Sequence, residues 1–560
     1  NRRFLSMKRN VCLLFLLLLS SSSFSQNTTL STQQVSSLTT LGELWGFFKY
    51  YHPQVAKGKW DWDSVLFAKL PLYLKANNKQ SLSALTSNWM DELGRVDSCK
   101  NCYQHVPDSL GYNLDFSWVN DKSFTKEVVT KLNHIRINRN IGTHYYVEYQ
   151  KTYRSLVEFK NEKVYNDPKF VYPPVEYRLL LLFRHWNWVH YFFPYKHLIG
   201  RDWKGVLQEM APQFYEAKDT LSYHKAIMRL TASLEDGHSR FLGRYSFYVL
   251  GEHYPLPFLC MLIDGKFVVS SISNDSAAAA IQIKKGDVIE TVNGEDVVKR
   301  YKRLAPYVHA SNEASKAMSF AASYLFRGAD SVFTIKKVRG KQTIVDTIQL
   351  SKKSLPYSRL QTPWKVLADS IGYVDMGTLQ KGEVDKMMNE LMAAKAIIFD
   401  LRNYPHDTWN LIAAYLCKRP FVMSRTSYAD LNYPGVFLYE KPSYYGKINE
   451  KPYDGKVVLL VDESSVSHAE YSAMGLQAAT QVTTIGNTTA GVDGNITSRF
   501  WLPGGLITQF SGTGVYYPDG TITQRKGVKI DYKVRPTIKG LIEGRDEVLE
   551  AALNFIKTTK

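Results

Sequence analysis

Hydrophobic and polar positions follow three successive patterns along the chain. To about residue 250 the apolar residues recur at helical spacing. From about Gly251 to Ser351 they shorten to strand-length runs between tight turns, and from about Pro356 apolar strands alternate with amphipathic helices. Within the helical part, residues 40–76 and 181–217 resemble each other without a gap. Trp45, Tyr50, Pro53, Asp61, Trp62, Val65, Leu66, Pro71 and Ala76 return, at one constant offset, as Trp186, Tyr191, Pro194, Asp202, Trp203, Val206, Leu207, Pro212 and Ala217. A constant offset over so many positions reads as an internal duplication. Each copy predicts an aromatic-rich helix ending at a proline, a loop, and a second helix carrying Val-Leu. The shared aromatic residues read as the core of paired helices rather than a ligand platform. The second copy continues as a helix from Tyr223 to Leu234 and ends in Glu235-Asp236-Gly237-His238-Ser239, an ending the first copy lacks.

In the middle stretch, Asp264-Gly265 predicts a hairpin joining Leu262 to Phe267-Val268-Val269. Gly286-Asp287-Val288-Ile289 and Val292-Asn293-Gly294 follow. Phe333-Thr334-Ile335 and Thr347-Ile348-Gln349-Leu350 close this β-rich module. In the last stretch, Ile371–Asp375, Ala396–Arg402, Lys456–Val461 and Val482–Gly486 read as strands, with a helix from Gly382 to Ala394. The result is an α/β layer with at least partly parallel strands, whose polar loops beyond the strand ends are where sites form.

Val458–Met474 organises this layer: a buried strand, a polar turn, then a helix with Ala469, Ala473 and Leu476 on one face. Ser467 begins that helix, where unpaired amides and the positive end of the helix dipole meet. A hydroxyl there can attack a carbonyl while neighbouring amides hold the oxyanion. Ser467-x-x-Glu470 equally fits a capping box, in which the serine only finishes a helix. Both roles remain open on the residues alone.

Length, charge and cysteines narrow the picture. At 560 residues the chain exceeds one core, and about three or four domains are expected. The formal charge of +18 is spread rather than gathered into a tract, and without a nucleic-acid-binding motif it gives no reason to expect a nucleic-acid partner. Met7-Lys8-Arg9, the apolar Val11–Leu19 and Ser20–Ser25 predict a secretory signal cut before Gln26, with Met7 as start. No later apolar run is long enough to span a bilayer. The expected protein is exported, periplasmic or extracellular, without stable membrane insertion. Cys99-Lys100-Asn101-Cys102 admits a zinc half-site, a redox pair or a local disulfide. With no second half-site and an oxidising compartment, the disulfide is expected. Cys260 and Cys417 read as buried thiols, and no metal or cofactor is expected.

From roughly residue 180 to 560 the chain resembles the S41 family of serine peptidases, the C-terminal-processing or tail-specific peptidases. The resemblance rests on the Glu235–Ser239 loop, the Gly-Asp-Val-Ile…Val-Asn-Gly module, Ile397–Arg402, Ser467-His468-Ala469-Glu470, Ile485–Gly491, Leu502–Gly505 and Gly527–Asp531. It implies an α/β catalytic domain of ClpP/crotonase-like type, with an inserted PDZ-like module and, here, the duplicated helical region in front. The expected domains are 1–25 (signal), 26–160 and 161–250 (the helical copies), 251–351 (PDZ-like) and 352–560 (catalytic). The implied activity is hydrolysis of peptide bonds in protein or peptide substrates through an acyl-enzyme on Ser467. One branch of the family takes its base from a lysine after a Thr-x-Gly turn; Thr489-Ala490-Gly491-Val492 has none. The branch resembling tricorn core peptidase implies His238 as base, oriented by a residue at the position of Gln524. It also implies an oxyanion hole from the amide of His468 and a glycine after the Asp-x-Arg strand, where this chain reads Asn403-Tyr404-Pro405-His406-Asp407. The PDZ-like resemblance implies a groove that adds a peptide strand to a sheet edge, its carboxylate loop near Leu256, Pro257 and Phe258. A second expectation is a weak or inactive peptide-binding protein on a peptidase scaffold.

Overall fold

The structure, a computed structural model, describes residues 29–559 except 104, 121, 154, 354–361 and 498; the expected signal segment lies outside them. In the helical part, α1 (Thr32–Tyr51) packs on α2 (Trp62–Lys75), and α3 (Val175–Phe192) on α4 (Trp203–Tyr215). Each pair is closed by the same reciprocal clasp. Trp45 Nε1 donates to the Trp62 carbonyl at 3.0 Å and Trp62 Nε1 to the Trp45 carbonyl at 3.0 Å. Trp186 and Trp203 do likewise at 2.8 and 3.1 Å. Both polar ends are thereby satisfied inside an apolar core, which a buried indole N–H requires. The pairs meet where Asn187 Nδ2 donates to the Gly42 carbonyl at 3.0 Å. At Gly46 a Cβ would fall 1.8 Å from Asn187 Oδ1, so only glycine allows this approach.

Between the pairs, β1 (Val147–Tyr149) and β2 (Val157–Phe159) form a short antiparallel hairpin. Helix α5 (Thr220–Ala232) leads through the Asp236–His238 turn into β3 (Arg240–Leu242). The aromatic core does not stop at this region. One continuous apolar cluster runs from Leu38 and Trp186 to Phe437, Phe500, Phe510 and Tyr516.

The middle module is an antiparallel sheet of β4 (Phe258–Ile263), β5 (Lys266–Ile272), β6 (Val288–Val292), β7 (Val332–Arg339) and β8 (Gln342–Gln349), in the order β8-β7-β6-β5-β4. Asp264 and Gly265 both take positive φ (49° and 74°), the backbone of the predicted two-residue hairpin. Helix α6 (Glu313–Ser323) packs along the edge strand β4.

The last part contains β9 (Trp364–Leu367), β10 (Ile371–Asp375), α7 (Val384–Leu391), β11 (Ala396–Asp400) and α8 (Trp409–Leu416). Strands β12 (Arg425–Ala429) and β13 (Phe437–Tyr439) precede β14 (Lys456–Val461), α9 (His468–Ala479) and β15 (Val482–Gly486). Then come β16 (Phe500–Leu502), β17 (Leu506–Gln509), β18 (Gly514–Tyr516), β19 (Tyr532–Lys533) and α10 (Glu547–Thr558). The central sheet runs β9-β10-β11-β14-β15-β19, parallel except for β9. Both faces are covered, so the inner strands β11 and β14 are near-continuous apolar runs rather than alternating. Ile397, Phe399, Leu459 and Val461 pack toward Met387, Trp409 and Met474 on one face; Ile398, Val458 and Leu460 meet Val548 and Ala552 of α10 on the other.

One small sheet joins the distant halves. β3 pairs antiparallel with β17, Arg240 opposite Gln509, and β17 pairs with β16. Carried two residues further, the same register sets His238 opposite Ser511. The turn after α5 is thus held against the last third of the chain.

Candidate active site

Ser467 stands at the start of α9, beyond the C-terminal end of β14, on a strand-to-helix turn pinned from below. Ser465 Oγ donates to the Leu401 carbonyl at 2.7 Å and Ser464 Oγ to the Arg402 carbonyl at 3.0 Å. Arg402 is itself fixed by ion pairs to Asp400 (2.6 Å) and Asp546 (2.8 Å). Ser467 takes φ 53°, ψ −104°, a conformation L residues adopt only when the surroundings enforce it. What enforces it is Glu470. Its buried carboxylate accepts from Ser467 N (3.2 Å), Gly491 N (2.8 Å), Val492 N (2.9 Å) and the Thr489 hydroxyl, tying the Ser467 turn to the Thr-x-Gly turn. Burial pushes the Glu470 carboxyl up to about 8, against the pull of these donors.

The Ser467 hydroxyl meets His238. Ser467 Oγ lies 2.9 Å from His238 Nε2, across 229 residues of sequence. On its other side His238 Nδ1 lies 3.0 Å from Ser511 Oγ, and Ser511 Oγ lies 3.0 Å from Asp236 Oδ1. These contacts determine the tautomer. A carboxylate oxygen can only accept, so the single Ser511 hydrogen goes to Asp236. Ser511 then accepts from Nδ1–H, which leaves Nε2 unprotonated and facing the Ser467 hydroxyl. Asp236 is held by further donors: Ser511 N at 2.8 Å, His238 N at 3.1 Å and Gln524 Nε2 at 3.3 Å. His238 is 7 % exposed, and burial lowers its pKa while Asp236 offsets part of the shift.

The expected role of Gln524 is corrected. It does not reach His238; Ser511 fills that position. Gln524 supports Asp236 from behind, its Nε2 also 3.4 Å from Ser311 Oγ while its Oε1 accepts Asp493 N at 3.2 Å. An amide suits this place because one end donates and the other accepts. A glutamate would set a second carboxylate against Asp236.

His468 is the first residue of α9, so its N–H has no intrahelical acceptor. Its ring lies at the rim, 3.5 Å from Asp407 and 6.2 Å centroid to centroid from Tyr404. Pro405, in the loop after β11, has no N–H to donate.

The cleft over Ser467 encloses about 960 Å³. Ser424, Tyr445, Tyr471, Asp493, Thr513 and Val515 line it, and the loop between β1 and β2 (Lys151, Thr152, Tyr153, Ser155) reaches its rim. The helical region therefore supplies one wall of the site.

Leu256, Pro257 and Phe258 stand away from this cleft. The Pro257 carbonyl accepts from Ser273 N (2.9 Å) and Asn274 N (3.3 Å), and Phe258 is buried against Phe326. Pro257 and Phe258 are buried, and Pro257 has no N–H to offer a carboxylate. The groove beside β4 lies instead between Met261, Leu262, Ala317 and Met318, where Arg535 bridges the Leu262 carbonyl (3.1 Å) and Glu463 (2.9 Å). Among the described residues no cluster of three or more metal-ligating side chains occurs, and no helix is long and apolar enough to cross a membrane. Cys99 and Cys102 are disulfide-bonded; Cys260 and Cys417 are buried thiols.

A serine hydroxyl on an enforced turn at the end of a parallel sheet, facing an imidazole, is an arrangement that can serve as nucleophile and base. The sequence model for peptidase family S41 matches residues 370–534. The match includes Ser467, Asp493, Ser511 and Gln524, while His238 lies before it. Mature CPAF complexed with lactacystin has a similar structure, at 14 % identity and a TM-score of 0.53, covering 69 % of this chain and 99 % of that one. Mature CPAF alone gives 13 % and 0.52, covering 68 % and 96 %. The photosystem II D1 C-terminal processing protease is similar at 19 % identity and a TM-score of 0.39, covering 66 % and 98 %. No curated protein sequence matches the chain.

Proposed function

We propose that this protein is an exported serine peptidase that cleaves protein or peptide chains through an acyl-enzyme on Ser467. The observation carrying this reading is the 2.9 Å approach of Ser467 Oγ to His238 Nε2. In the first step Ser467 Oγ attacks the scissile carbonyl carbon and His238 Nε2 takes the hydroxyl proton. Ser511 and Asp236 hold Nδ1–H and stabilise the imidazolium. The oxyanion is received by the His468 N–H at the helix start. The C–N bond then breaks as His238 returns the proton to the leaving amine. Water, deprotonated by the same imidazole, attacks the ester and frees Ser467.

The helix pairs fit the reading of two copies of one unit, and the β4–β8 module that of a PDZ-like insertion. The absent donor at Pro405 favours a second reading, a peptide-binding protein whose catalysis is weak. One missing oxyanion donor costs on the order of 10²–10³ in kcat in a well-studied protease. Labelling with a fluorophosphonate followed by intact-mass measurement tests the proposal. The expected result is one adduct on the native protein and none on Ser467→Ala; equal labelling of both, or of neither, overturns it.

A further inference from the structure

Of the three buried carboxylates Asp236, Glu470 and Asp493, Asp493 is the most poorly provided for. Asp236 and Glu470 each accept a set of amide and hydroxyl donors that covers both oxygens. Asp493, 2 % exposed, accepts firmly only from Gly494 N at 2.7 Å. Its second oxygen is 3.4 Å from Thr523 Oγ1, but that hydroxyl lies closer to the Val515 carbonyl, at 3.2 Å, and has one hydrogen to give. No lysine, arginine or histidine pairs with Asp493 among the described ion pairs, and burial pushes its carboxyl up to about 7. A buried carboxylate without a cation is costly, and a partner arriving from outside recovers that cost.

Asp493 also lines the cleft that holds Ser467, beside Ser424, Tyr445, Tyr471 and Val515. Aromatic and aliphatic walls suit the methylene stem of a long side chain, and the carboxylate suits its charged end. The rim charges (Lys151, Arg425 and Lys441 against Asp407 and Glu440) are mixed and exposed, so salt screens them while the buried carboxylate stays unscreened. We infer that Asp493 is a specificity-determining residue that receives the cationic side chain of a lysine or arginine next to the scissile bond. The inference rests on the peptidase reading and adds the substrate class to it.

The test separates the two. Binding of p-aminobenzamidine, followed by its fluorescence, needs no turnover, and fluorophosphonate labelling of the same sample reports the nucleophile on its own. The native protein is expected to bind p-aminobenzamidine, with Asp493→Asn weakening the binding at least tenfold. It is also expected to cleave a quenched peptide with lysine at the scissile position about 10²-fold better, in kcat/KM, than the same peptide with norleucine. Absent binding by the labelled native protein, or a lysine-to-norleucine ratio of one or less, overturns the assignment while leaving the peptidase reading intact. Should Asp493→Asn fail to fold, the native protein's binding and peptide ratio decide alone.

Discussion

Ser511 Oγ lies 3.0 Å from His238 Nδ1, on the side of the ring opposite Ser467, and hands the hydrogen-bond chain on to Asp236. The carboxylate therefore acts on the imidazole through a hydroxyl rather than directly. Ser511→Ala removes the link without adding bulk, so Nδ1 loses its acceptor and the tautomer is no longer imposed. The expected outcome is a kcat lower by about 10–10²-fold with KM little changed. Asp236→Asn, which lets Ser511 turn its hydrogen toward Nδ1, is expected to cost more, on the order of 10²–10⁴. Steady-state kinetics on a peptide substrate checks both.

The pH profile follows from the same chain. Burial holds the His238 pKa below 6.5, and Asp236 is the group that raises it again. The acid limb of kcat/KM is expected to inflect below pH 6.5, since the base must be neutral to act. Removing the Asp236 charge removes the raising influence, so Asp236→Asn moves the inflection further down while lowering the plateau.

Gln524→Glu discriminates between two roles for this position. Were it the partner of the imidazole, a carboxylate would help. Because Gln524 Nε2 donates to Asp236 at 3.3 Å, a glutamate instead brings two buried carboxylates together. The expected outcome is at least a tenfold loss of kcat near pH 8 and a destabilisation of about 1–3 kcal/mol, both relieved on acidification as one carboxyl takes up a proton. Activity and urea midpoints at pH 5.5 and 8 read this out.

The tryptophan clasps predict a stability effect far from the chemistry. Trp186→Phe keeps most of the ring but removes the indole N–H that donates to the Trp203 carbonyl, at a cost of about 0.5–1.5 kcal/mol. Trp45→Phe is expected to cost a similar amount, since its indole serves Trp62 in the same way. Chemical denaturation of each variant measures it.

Stability should be highest at mildly acidic pH and fall on either side. Burial lowers His52 and His144 to about 4 and His185 to about 3, so from pH 6.5 downward the unfolded chain takes up protons these native side chains refuse. Each such histidine removes up to about 1.4 kcal/mol of stability per pH unit over that range. Glu43 and Asp493, raised to about 7, and Glu470, raised to about 8, act in the opposite sense: their contribution is full below the unfolded pKa and is lost as pH rises to 7–8. Between about pH 4.5 and 6.5 the two sets oppose each other. Urea midpoints at pH 4, 5.5 and 8.5 are expected to be highest at 5.5.

What the sequence determined by itself was local. The strands Ile371–Asp375, Lys456–Val461 and Val482–Gly486, the Asp264-Gly265 hairpin and the turn carrying Ser467 are legible because side-chain periodicity and turn chemistry act between near neighbours. The repeated tryptophans were legible as a pattern, though their mutual clasp was not. Only tertiary structure decided what stands behind His238. Ser511 lies opposite it because β3 and β17 pair in one register, and that register is chosen by the packing of Phe241 and Phe510 into the common core rather than by anything near either residue in the chain. The same long-range packing gave Gln524 a carboxylate rather than an imidazole to support, and left Asp493 buried in the cleft without a cation.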